Sequence, residues 1–83
     1  MSRDREELRR EVTEIVSRVG EISQESIQPG ESLHRYGIDS LAGVNIAYEL
    51  SMLSGRDAPP TLLTELDTID KLVDFVIDGR GSR

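Results

Sequence analysis

The sequence predicts an all-α fold: a bundle of three to four short helices, with a long loop between helices one and two and a short third helix. Three observations predict it. Apolar residues recur at spacings of three and four near both ends of the chain, as on helices that bury one stripe. Capping residues, glycine and proline mark where those stretches begin and end. The 83 residues allow one domain with a single modest core, too small to wall a substrate pocket on all sides.

The first helix spans roughly Arg5 to Val19. Leu8, Val12, Ile15, Val16 and Val19 form its apolar face, and Asp4 with Glu7 has the offset of a capping box. Glu6 with Arg10 and Glu14 with Arg18 stand four apart in the favourable orientation, and Gly20 fits the left-handed position that closes a helix. An ordinary solvated amphipathic helix accounts for all of this. From Gly20 to Asp39 the chain carries turn formers and isolated apolar residues (Ile22, Ile27, Leu33, Tyr36, Ile38), which reads as a long, partly anchored loop. Loops of that length in so small a domain tend either to be functional or to be misassigned, and the first reading is taken because its end meets the motif below.

The second helix runs from about Ser40 to Leu53 and is followed by a loop through Ser54–Pro60. Thr61 to Leu66 allows one short helical turn. Thr68 then caps a last helix with Ile69, Leu72, Val73, Val76 and Ile77 on one face, and Gly79 stops it, leaving 79–83 as a frayed tail. Residues 1–83 make a single domain.

The second helix carries two apolar stripes. At about 100° per residue, Gly43, Ile46, Leu50 and Leu53 fall on one side with Ala47 at its margin, and Leu41, Val44, Tyr48 and Met52 gather on the other. A short-helix bundle buries one side of each element, so the second stripe should face solvent or a partner. The alternative is that the long loop folds over Leu41 and Val44 and makes them core.

Composition bounds the function. Apolar residues form 36% of the chain and charged ones 31%, with Phe75, Tyr36 and Tyr48 the only aromatics, so the core is aliphatic. Sixteen acidic against ten basic residues give a net charge of −6, which repels nucleic acid and anionic membranes and favours a basic protein surface as partner. Without cysteine there is no disulfide, no thiolate metal site and no thiol for covalent catalysis, so thioester chemistry would need an added cofactor. The charged start lacks a secretory apolar stretch, and no run approaches the roughly 20 residues that cross a bilayer. A cytoplasmic monomer is expected. His34 is the only histidine and there is no Gly-x-Ser-x-Gly elbow, which argues against a serine hydrolase and a transition-metal site. Paired carboxylates such as Glu6 with Glu7, or Asp67 with Asp70, are assigned to solvated helix faces without chemistry.

One motif carries chemistry: Gly37-Ile38-Asp39-Ser40-Leu41, where the second helix begins. Gly37 permits a tight or left-handed turn. Asp39 suits an N-cap, and Ser40 lies where unpaired backbone N–H groups and the positive helix end favour a phosphate ester. The string resembles the modification site of the acyl carrier protein family, Gly-x-Asp-Ser-Leu, at all four fixed positions. The family also places its serine after a long first loop, and Thr68-Ile69-Asp70-Lys71-Leu72 is similar to the family's opening of the last helix.

The resemblance, to a discrete member of the family, implies a non-catalytic carrier. A phosphopantetheinyl transferase would attach 4'-phosphopantetheine from coenzyme A to Ser40, with Gly37, Asp39 and Leu41 shaping the site. Acyl intermediates of fatty-acid or polyketide type would then ride as thioesters between partners such as an acyltransferase or ketosynthase. Those partners would read Leu41, Val44, Tyr48 and Met52. Many family members have a strongly acidic second helix, whereas here only Glu49 is charged between Leu41 and Leu53. An aminoacyl or peptidyl carrier of the same fold is the first alternative, although those more often resemble Gly-Gly-x-Ser at this site. An unmodified helical adaptor is the second.

Overall fold

The computed structural model describes residues 5–81, with side chains through residue 79. Four helices follow in order: α1 (Arg5–Gly20), α2 (Ser40–Ser54), the single turn α3 (Leu62–Glu65) and α4 (Ile69–Gly81). Helices α1, α2 and α4 pack against one another, and α3 packs on α2. The core is aliphatic apart from Phe75: Leu8, Val12 and Val16 of α1 meet Ile46 and Leu50 of α2 and Leu72, Val73 and Val76 of α4. Each such buried side chain contributes on the order of 2 kcal/mol by leaving water.

The long segment between α1 and α2 has more structure than a loop. It contains two 3-10 turns, Gln24–Ser26 and Leu33–Tyr36, and buries Ile27, Leu33 and Ile38. Two backbone bonds latch it to the α3–α4 connection and the first turn of α4: Leu33 N–H donates to the Asp67 carbonyl at 2.7 Å, and Asp70 N–H donates to the Pro29 carbonyl at 3.1 Å. Ser32 Oγ adds a bond to Asp67 Oδ2 at 3.0 Å, and Gln28 N–H donates to the Tyr36 hydroxyl at 2.9 Å. These long-range partners satisfy backbone groups that would otherwise need their own element.

Three expectations are corrected. The left-handed position that closes α1 belongs to Glu21 (φ 58°), with Ile22 N–H bonded to the Ser17 carbonyl at 3.0 Å, the pattern of a Schellman closure. Gly20 serves packing instead, since a Cβ there would meet Ile38 Cδ1 at 2.5 Å. Arg18 reaches across to Glu49 of α2, with Nη1 and Nη2 each 3.1 Å from a carboxylate oxygen. That forked pairing uses both terminal nitrogens of the guanidinium, and Glu14 adds its own attraction to Arg18 as the sequence spacing predicts. Glu6 lies 3.7 Å from Arg9. The last helix does not stop at Gly79 but continues to Gly81. A glycine weakens a helix by only about 1 kcal/mol, and the Arg56 side chain covers this one, its guanidinium 4.2 Å from the Phe75 ring centre. Finally, Asp67 and Asp70 are structural ties and not merely solvated: Asp70 pairs with Arg9 at 3.1 Å. Asp4 of the expected capping box, and residues 82 and 83 of the expected tail, lie outside the described residues.

Candidate functional site

The head of α2 is built by three backbone decisions. Gly37 closes the second 3-10 turn in the left-handed region (φ 84°), its N–H donating to the His34 carbonyl, a conformation glycine adopts without penalty. Ile38 then drops into the core and fixes the approach of the chain. Asp39 is the N-cap: its Oδ1 accepts from Ala42 N–H at 2.9 Å, and its carbonyl accepts from Gly43 N–H at 2.8 Å. Ser40 is consequently the first helical residue. It is exposed, and its hydroxyl has no hydrogen-bond partner among the described residues.

The expectation that Ser40 is presented to solvent at a helix start therefore holds, with the capping role falling wholly on Asp39. The second stripe is also outside the core. Leu41 is 71% exposed, Val44 41%, Tyr48 65% and Met52 70%, so the alternative that the loop folds over Leu41 and Val44 is overturned. The loop is tied toward α4 by its backbone latches. On the inner side Gly43, Ile46, Ala47 and Leu50 are buried as expected, while Leu53 is half-buried and Ser54 takes the last inner position.

A half-open groove of ≈ 390 Å³ runs beside Ser40 toward α3. Its lining comes from the turn before α2 (His34, Ile38, Asp39), from Ser40 and Val44 of α2, and from the α3 segment, Leu63 and Thr64 among it. Sequence reading did not find this groove, because the contribution of the α3 segment depends on how that single turn packs on α2. His34 is exposed and also lines it.

Charge near the site is mostly compensated. The Arg18 guanidinium holds the Glu49 carboxyl below the usual range, chiefly by hydrogen bonding, so the one charged side chain of α2 is paired. Arg35 lies 2.6 Å from Glu31. Asp67 is held low first by the Ser32 hydroxyl and then by Lys71. Among the described residues no group of His, Cys, Asp and Glu side chains could hold a metal ion, and no helix is long and apolar enough to cross a membrane.

An exposed hydroxyl on a capped helix end, next to a groove open at one side, can take a tether and let it lie along the protein. The comparisons with known proteins agree with that geometry. The model of a family described as a phosphopantetheine attachment site matches residues 10–76. The polyketide synthase PksR of Bacillus subtilis (strain 168) is 32% identical over 62 residues, which is 75% of this chain and 2% of that protein. The crystal structure of a free-standing peptidyl carrier protein from an uncharacterised secondary metabolic pathway of Acinetobacter baumannii matches with a TM-score of 0.81. It covers 90% of this chain and 94% of that one at 24% identity, a likeness of fold. Since the family match spans most of the four-helix unit, this chain belongs to the phosphopantetheine-binding carrier proteins, which bear 4'-phosphopantetheine as a covalent group.

Proposed function

We propose that Ser40 is the attachment residue and that the chain carries acyl intermediates as thioesters for fatty-acid or polyketide-type synthesis. The observation that carries this reading is the exposed, unengaged Ser40 hydroxyl at the first position of α2. The residues fit the group. Asp39 and Gly37 fix the turn that aims the hydroxyl outward, the free N–H groups of the first turn face an attached phosphate, and the neighbouring groove can receive an elongated arm. When bound, the arm supplies the thiol that this cysteine-free chain lacks. The chain's own part is to present, orient and be recognised, so it acts as a substrate of enzymes and catalyses nothing itself.

Partners in this reading are a phosphopantetheinyl transferase, then an acyltransferase, ketosynthase or similar acyl-processing enzyme. Leu41, Val44, Tyr48 and Met52 are the docking residues, a face whose polar neighbour Glu49 is already paired. The 32% identity to part of a polyketide synthase supports acyl cargo. A peptidyl or aminoacyl carrier is the second reading, favoured by the fold match to a protein of that name.

Intact mass measured before and after coenzyme A with a broad-specificity transferase tests the attachment. One phosphopantetheine should add to wild type and none to Ser40→Ala, which remains folded because the cap is Asp39. Loading of the product with malonyl against aminoacyl donors then separates the two kinds of cargo. A wild-type chain that gains no mass is an adaptor.

A further inference from the structure

We propose that His34 is a positioning residue for the phosphodiester formed at Ser40, biasing the base of the arm toward the groove on the α3 side of α2. The proposal rests on Ser40 being the attachment residue.

His34 lines the same groove as Ser40 and Asp39. Its backbone is pinned at both ends: the N–H donates to Ser32 Oγ at 3.3 Å, and the carbonyl accepts from Gly37 N–H at 3.2 Å. The turn that delivers Ser40 thus also fixes where the imidazole starts. The side chain is exposed and has no partner among the described residues, so it is available to a new one.

Attachment places a phosphodiester anion one residue from the Asp39 carboxylate. Two negative charges on one rim favour a nearby cation. Arg35, the adjacent candidate, is engaged by Glu31 at 2.6 Å. The α3 side contributes Pro60, Thr61, Leu63 and Thr64, none of which titrates, and Glu65 does not line the groove. Asp39 is therefore the only other titratable side chain lining it among the described residues. His34 is left as the side chain lining the groove that can carry a positive charge.

The test is an NMR titration of the single histidine in the unmodified and modified chain, with the phosphorus resonance of the arm followed in parallel. An added negative charge in the same groove should keep the imidazole protonated to a pH about half a unit higher. A phosphodiester does not itself titrate in this range, so its phosphorus signal should shift with the imidazole in wild type and stay flat in His34→Gln. If the mass shows the arm in place but the histidine titrates identically in both forms, the positioning role is overturned while the carrier reading stands. If the mass shows no arm on Ser40, the carrier reading itself has failed.

Discussion

Replacing Asp39 by Ala and, separately, by Asn divides the two contributions that hold the head of α2. Alanine removes the Oδ1 that accepts from Ala42 N–H at 2.9 Å together with the negative charge beside the helix end. Loss of an N-cap costs about 1 kcal/mol. Because residue 39 is exposed, the released N–H turns to water, which keeps the cost near that middle value. Asparagine keeps an oxygen in place and loses only the charge, whose interaction with the helix end is worth about 0.5 kcal/mol. The expected losses are therefore about 0.5 kcal/mol for Asp39→Asn and about 1.5 kcal/mol for Asp39→Ala. With a urea slope of about 1 kcal/mol per molar for a domain this small, the midpoints fall by about 0.5 M and about 1.5 M. Circular dichroism at several urea concentrations reads both. Equal losses for the two variants would refute the cap bond as a contributor, and a changed slope would mean that something other than native stability had moved.

Two further outcomes are expected. Folding lowers the Glu49 carboxyl below its ordinary 4.5, so the stability it contributes is present above that pH and is lost as pH falls through the lowered value. Glu49→Gln should therefore weaken the fold at neutral pH yet flatten the decline below pH 4.5, and an unaltered decline in acid-titration experiments would sink that assignment. Tyr48→Ala, on an exposed position, should change stability by no more than about 0.5 kcal/mol. It should nevertheless lower kcat/KM for a partner enzyme roughly tenfold if it anchors docking; an unchanged value would remove it from the docking face.

The parts of the fold written in local pattern were legible in the sequence. The α1 and α4 faces follow from their apolar spacing, and Asp39 and Thr68 from capping chemistry: Asp39 Oδ1 accepts from Ala42 N–H at 2.9 Å, and Thr68 Oγ1 accepts from Lys71 N–H at 3.1 Å. The exposure of Leu41 and Tyr48 was legible because one helix cannot bury opposite sides in a small bundle. What escaped was decided between distant segments. Nothing local marks Pro29 and Leu33 as partners of Asp70 and Asp67, or Arg18 as a partner of Glu49 in preference to Glu14. Gly20 illustrates the same limit, since its smallness answers to Ile38 and the left-handed turn passes to a glutamate. The groove beside Ser40 has one wall from α3, so its motif was readable and its surroundings were not.

The two latches at Leu33 and Pro29 also order the assembly of the molecule. Neither can close until the start of α4 has come back over a long stretch of chain, and bringing such ends together is among the slower, entropically costly events of folding. A chain that has made α1 and α2 but not α4 keeps the local turn at Gly37 and the Asp39 cap, and lacks the two ties that hold the segment leading into them.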